Sequence, residues 1–478
     1  MAYRRLNVSR TACPYRFGIA ALLISIVFTW NRSQAEGFRG SGLDTFRYGG
    51  DFRLREEMSD NLPYGSRTDR YNYIRLRTRL WGEIDLAPNI TGRVRLVNEF
   101  RSYLDPDTAS WTDAETSSFP DEMVIDNLYL DFKSLWESKL DVRIGRQDLQ
   151  YGNGRLIQDA TALDGSRTAY SDAVKVTWKG FKNTTVDFLA MYNSPSNNMA
   201  INSQERNLLD NGATDRGAGI YIKNRSFREC PLEVYYLYKQ EESSTTAAKT
   251  NSSGAFNPPK YSWQVLDEAR RTVVTPESDI NTIGFRIMPF LSRECSGNAE
   301  VAYQFGTCGE NSIGALGADL TITYVVLNMR GLMPAATAGL CYLSGDDPST
   351  GKNEGWTPLW SRWPQYNEMF VYMTVLPSRW SNLMMPYIKL SCNVAKEVLI
   401  TATIADLSAP ADEADKSGNG SRRGMLYELR TDFTLARNMA RKNDKLAGHV
   451  LAEVLTPGNY YNSDGSALFV RWELSYAF

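Results

Sequence analysis

The chain has 478 residues, with 53 Lys and Arg against 55 Asp and Glu, a net charge of −2, one histidine and a mean hydropathy of −0.39. That balance excludes a generic nucleic-acid binder, which carries a strongly basic face. A single histidine, His449, and the lack of a His/Cys cluster argue against a zinc site and against Ser–His hydrolysis.

Residues 1–18 carry Arg4, Arg5, Arg10 and Arg16 and no acid; "IAALLISIVFTW" (19–30) is apolar, and "SQA" (33–35) places small residues where a signal peptidase reads them. This describes a cleavable secretory signal over 1–35, too short to span a bilayer, which needs about 20 apolar residues. The mature protein is then 36–478 as one domain.

From residue 51 onward the pattern has a period of two, the signature of β-strands. In 71–86, Tyr71, Tyr73, Arg75, Arg77, Arg79, Trp81, Glu83 and Asp85 share one face, and Asn72, Ile74, Leu76, Thr78, Leu80, Gly82, Ile84 and Leu86 the other. Strands of soluble sheets commonly run about 5–6 residues, so this length favours a membrane barrel. The same alternation recurs at "DFRLRE" (51–56), "GRVRLVNEF" (92–100), "DNLYLDFK" (126–133) and "LDVRIGRQ" (140–147), and then along the chain to "ALFVRWELSYAF" at the C-terminus. There Phe478, Tyr476, Leu474, Trp472, Val470 and Leu468 form an apolar, aromatic face that ends on the last residue, as in the assembly signal of outer-membrane barrels.

Connections alternate between short (87–89, 180–183, 226–231) and long (103–123, 150–171, 194–216, 241–279). Counting "EMFVYMTV" (368–375) as a strand breaks this alternation, so it is assigned to one large connection, 345–384. The expected fold is all-β: a single closed antiparallel transmembrane β-barrel of about 18 strands, with short periplasmic turns and long extracellular loops throughout. Cys230 and Cys295 lie in two "REC" turns on the same side, where a disulfide can form. "SGDDPSTGKNEG" (344–355) lacks the spacing of a calcium loop and reads as a polar loop. His449 reads as a lumen-wall imidazole. No cofactor or metal is expected.

The chemistry that stands out is arginine on inward faces: Arg53, Arg55, Arg75, Arg77, Arg79, Arg93, Arg95 and Arg143, with Arg146 and Arg155 following at the end of the fifth strand and in the next loop. An arginine facing mid-bilayer costs about 2–4 kcal/mol in such barrels, so these line the lumen. Two readings stay open. The arginines brace the wall by pairing with Glu57, Glu83, Asp85 and Glu99, or they form a cationic track for an anionic solute, which guanidinium groups bind bidentately.

"RYGGDFRLREE" (47–57), "YIRLRTRL" (73–80), "RIGRQDLQYGNGRLIQ" (143–158), "DGSRTAYSDAVKV" (164–176), "YLSGDDPSTGKNEGWTPLWSRWPQYNEMF" (342–370) and "TPGNYY" (456–461) resemble the alginate-export family of outer-membrane barrels. The resemblance implies an 18-stranded barrel with an arginine-lined constriction, gated by loop and periplasmic segments, through which an acidic uronate polysaccharide diffuses. Arg53, Arg75, Arg77, Arg79, Arg146, Arg155 and Arg167 lie in the matching motifs. The partners implied are an acidic polysaccharide or sugar, outer-membrane lipid and lipopolysaccharide, and the outer-membrane assembly machinery, with a monomeric barrel and no nucleic acid. An anion-selective porin for uptake of small acidic solutes shares all these features. So does a structural barrel whose lumen is closed by paired charges.

Overall fold

The structure is a computed structural model that describes residues 46–478 apart from 62–70, 105–116, 119–122, 159–169, 195–198, 202–213, 248–264, 267–271, 330, 362–366, 370–380, 413–417 and 463–464. Residues 1–47 and 48–478 separate as two units. Only Phe46 and Arg47 of the first are described, so the expected signal segment lies outside the described residues.

Eighteen staves close on themselves. The first six are β1 (Phe46–Asp60), β2 (Tyr71–Ala87), β3 (Ile90–Tyr103), β4 (Met123–Phe132), β5 (Leu140–Gln147) and β6 (Ser171–Trp178). Next come β7 (Thr184–Asn193), β8 (Asp215–Asn224), β9 (Leu232–Glu241), β10 (Ser278–Ile287), β11 (Cys295–Cys308) and β12 (Asn311–Val325). The last six are β13 (Ala335–Leu343), β14 (Leu383–Ala395), β15 (Val398–Ser408), β16 (Arg422–Arg437), β17 (Lys445–Pro457) and β18 (Ala467–Ala477). Each stave pairs antiparallel with its neighbours, and β1 pairs with β18 from Asp51↔Ala477 to Asp60↔Leu468. β13 pairs directly with β14, so 344–382 is one connection; Glu368 and Met369 lie in no strand, and 370–375 lie outside the described residues.

Closure satisfies the backbone polar groups that lipid cannot. The alternation makes the outer surface apolar, with Leu80, Leu130, Ile144, Phe188, Ile283 and Leu390 all exposed on it. β2 has 17 residues, roughly 55 Å at about 3.3 Å each, so its surplus stands outside a band about 25 Å tall. The last residue seals the seam. Phe478 donates its N–H to the Gly50 carbonyl at 3.0 Å and accepts from Gly50 N–H at 3.1 Å. Its ring stacks on Phe52 and on Tyr476, each 5.8 Å between centroids. In turn 438–444, burial raises the Asp444 pKa, but the N–H groups of Ala440, Arg441 and Met439 and the Tyr476 hydroxyl donate to it and hold it down at about 2.

One end carries the short turns 88–89, 133–139, 179–183, 225–231, 288–294, 326–334, 396–397 and 438–444; the other carries the long loops. One expectation needs correction. The long-loop end includes one two-residue hairpin, Gly309–Glu310, because β11 and β12 run further than their apolar cores suggest and glycine takes φ +57 at the turn. Cys230 and Cys295 are free thiols, although their turns are joined by backbone bonds from Phe290 N–H to Glu229 O at 2.7 Å and Met288 N–H to Pro231 O at 3.0 Å.

Candidate functional site: a charged lumen narrowed by two loops

Alternation turns the predicted arginines inward, and the barrel's curvature brings carboxylates from neighbouring staves to them. Arg53 meets Glu99 at 2.9 Å and Glu473 at 3.8 Å. Arg55 meets Glu57 at 3.0 Å and Glu473 at 2.6 Å, and Arg75 bridges Glu57 at 3.1 Å and Glu99 at 3.0 Å. Arg77 and Arg79 share Asp51 at 2.9 and 2.6 Å. Arg93 pairs with Glu83 at 2.9 Å and lies 4.6 Å over the Trp81 ring. Asp85 accepts from Thr91 at 2.9 Å.

Further round the wall the pairs are bidentate. Arg95 takes Asp126 at 2.8 and 3.0 Å and also reaches Asp148 at 2.8 Å. Arg143 takes Asp131 at 2.7 Å on both arms and stacks 4.0 Å over Tyr129. Arg146 takes Asp172 at 2.8 and 2.9 Å and stacks 3.9 Å over Tyr170. Alternation from Arg143 places Arg146 at the parity of Ile144, opposite Leu128 and Asp172 in the register. Gly145 before it takes φ +124, where a Cβ would lie 2.2 Å from the Leu128 carbonyl. Arg155 crosses the lumen to Asp319 on β12 and lies 3.7 Å from the Cys341 sulfur on β13. Arg167 lies outside the described residues.

Two loops enter from the long-loop end. Residues 148–158 fold back on themselves, and Ile157 pairs with Trp360 of the second loop. Trp360 donates N–H to Leu156 O at 2.9 Å and its indole to Asp215 on β8 at 3.3 Å. Thr357 and Gln304 on β11 exchange bonds at 2.8 and 3.0 Å, and Lys239 on β9 donates to Leu359 O at 3.2 Å. On the far wall the Glu453 carboxylate of β17 accepts the backbone N–H groups of Glu368 and Met369 at 2.8 and 2.6 Å, and Glu368 pairs with Arg471 of β18. Loop 344–382 thus reaches from β8 to β18. Gly217 and Gly317 leave the room its tryptophans need: a Cβ at either would lie 2.4 Å from Trp360 or 2.6 Å from Trp356. Burying each indole contributes about 4–6 kcal/mol before the entropy of ordering the loop.

Beneath Asn367 of this loop lies a cavity of about 250 Å³ lined by Tyr387, Lys389, Thr401, Thr403, Glu428, Arg430 and Asp432. Sequence reading missed several wall cations: Arg471, Arg286, Arg430, Lys239 and Lys389. Arg471 was legible, since it shares the polar face of the last strand with Glu473. The others sit singly among aromatic or aliphatic residues, so no run of charge points to them.

A family model for alginate export matches residues 45–451. Solved structures of similar fold include a BenF-like porin from Pseudomonas fluorescens Pf-5 (TM-score 0.55, 9% identity, covering 92% of this chain and 100% of that one). The outer membrane protein opdK from Pseudomonas aeruginosa gives a TM-score of 0.53 at 10% identity, covering 90% and 99%. Pseudomonas aeruginosa OccK11 (OpdR) gives 0.51 at 10% identity, covering 91% and 96%. No curated protein sequence matches the chain significantly. Barrel and lumen together define an integral outer-membrane protein of the passive-channel class. The chain belongs to the alginate export family.

Proposed function

We propose that this channel prefers anions and carries a uronate-type oligosaccharide or polysaccharide outward, with the short turns facing the periplasm. The observation that carries this reading is a set of arginines that keep access to lumen water: Arg79, Arg93, Arg143 and Arg430, with side chains 19, 19, 30 and 35% exposed. Arg143 and Arg430 each commit Nε and Nη2 to a carboxylate, Asp131 and Asp432, which leaves the Nη1 donors directed at solvent or solute. The family's description, alginate export, supports a uronate as the solute. Lipid and lipopolysaccharide surround the barrel, the outer-membrane assembly machinery delivers it, and it works as a monomer without cofactor or catalysis.

A second reading, a structural barrel closed by paired charges, draws on the cluster around Glu57. There the side chains of Arg53, Arg55, Arg75, Arg471, Glu57 and Glu99 are at most 3% exposed. Single-channel recording with oligouronates added to one side separates the two. The channel reading predicts block by oligouronate and not by a neutral oligosaccharide of equal length. Arg79→Gln with Arg143→Gln should weaken that block by about fivefold to thirtyfold, at about 0.5–1 kcal/mol per charge or somewhat more in a confined lumen. A wild-type barrel that passes no current, or equal block by both sugars, favours the braced barrel.

A further inference from the structure

On the short-turn rim Lys133 and Lys179 pair with Asp141 and Arg225 with Glu233, but five other cations there stand beside exposed apolar side chains. Phe181 is followed by Lys182 and Phe227 by Arg228, in turns 179–183 and 225–231. Around the same rim Leu291 stands near Arg293, Val394 near Lys396, and Met439 near Lys442. All ten side chains are exposed, Phe227 at 66%, Leu291 at 62% and Phe181 at 61%. None of the five cations makes a side-chain hydrogen bond or ion pair among the described residues. By sequence the eight short turns hold eleven Lys and Arg and five Asp and Glu, a net positive rim on a chain of net charge −2.

Two further observations show which way this rim faces. Phe181 packs edge-on against Trp178, 4.8 Å between centroids, and Trp178 shares its strand face with the exposed Val174 on the lipid side of β6. In turn 133–139, Ser134, Trp136 and Glu137 all take left-handed φ of 47, 53 and 58°. Non-glycine residues adopt that conformation only at a cost, and here it holds Trp136 outward at 84% exposure. An exposed apolar side chain one to three residues from an unpaired cation, repeated around the circumference, matches the boundary between acyl chains and headgroups. A protein partner would need one contiguous patch on one side, and a solute would meet the cations but not the outward aromatics.

We infer that the short-turn rim is a binding surface for anionic phospholipid of the periplasmic leaflet, with Lys182, Arg228, Arg293, Lys396 and Lys442 meeting headgroup phosphates and their apolar neighbours seated among the acyl chains. The test offers the full-length barrel equal phosphatidylglycerol and phosphatidylcholine in mixed micelles and counts retained lipid by native mass spectrometry. The wild type should retain phosphatidylglycerol about fivefold or more over phosphatidylcholine. The combined variant Lys182→Gln, Arg228→Gln, Arg293→Gln, Lys396→Gln and Lys442→Gln should hold the two alike while keeping the heat-modifiable barrel. Phe181→Ser with Phe227→Ser should lower retention of both lipids. If the combined variant does not fold, Lys182→Gln with Arg228→Gln decides, with a partial loss of preference expected. Equal retention of the two lipids by the wild type, or an unchanged preference in the glutamine variants, overturns the inference. Displacement of phosphatidylglycerol by oligouronate at matched ionic strength also overturns it, since the rim would then serve the solute.

Discussion

At Glu57 three guanidinium groups converge, from Arg55 at 3.0 Å, Arg75 at 3.1 Å and Arg471 at 2.8 Å, and the Tyr73 hydroxyl donates to the same carboxylate. All four partners are buried, so the charges hold one another in place with little help from water. Glu57→Gln keeps the shape and one acceptor but leaves the arginines with an uncompensated charge. Breaking a buried pair in this way costs about 3–5 kcal/mol, so the variant should unfold at markedly lower urea, read by the heat-dependent shift in gel mobility; an unchanged midpoint would show that the cluster does not brace the barrel. Much of this site was legible in the sequence, because Glu57, Glu83 and Glu99 lie on the inward faces beside the arginines they engage. Asp126, Asp148, Asp172 and Asp319 were not. Asp172 stands opposite Arg146 in the strand register, Asp126 is the extra residue at a register shift beside Arg95, and Asp148 and Asp319 meet Arg95 and Arg155 through loop 148–158; strand parity encodes none of these.

Loop 344–382 shows the same limit for a whole element. Its assignment as a single connection followed from the rhythm of short and long linkers, and β13 does pair directly with β14. Its path through the lumen had no local signal, since Trp356 and Trp360 could equally have covered an outer rim. What fixes its far end is Glu453, which accepts two backbone N–H groups at 2.8 and 2.6 Å. Bonds to a charged group contribute about 1.5–3 kcal/mol each, enough to hold a loop end but not a stave. Glu453→Ala should therefore leave the barrel folded while raising single-channel conductance and its open-state noise. Wild-type conductance in that variant would mean that the indole contacts with β8 and β12 position the loop by themselves. The hairpin at Gly309–Glu310 was misjudged for a simpler reason: "SIGALGAD" (312–319) has few large apolar residues, so its strand pairing left no strong alternation to read.

At the scale of the whole molecule, 18 closed staves separate an apolar exterior from a lumen whose arginines are partly braced and partly open to water. The buried pairs around Glu57 and Asp126 set the wall. On the proposed function, Arg79, Arg93, Arg143 and Arg430 set the field that a solute meets. That proposal requires the local field of the pore to outweigh the chain's overall charge of −2. The most direct measurement is the zero-current potential of the wild-type barrel in a planar bilayer under a potassium chloride gradient. The potential should take the sign of chloride permeation and move toward zero as ionic strength screens the wall. A potential of the opposite sign, with potassium the preferred ion, would contradict an anion channel for this fold.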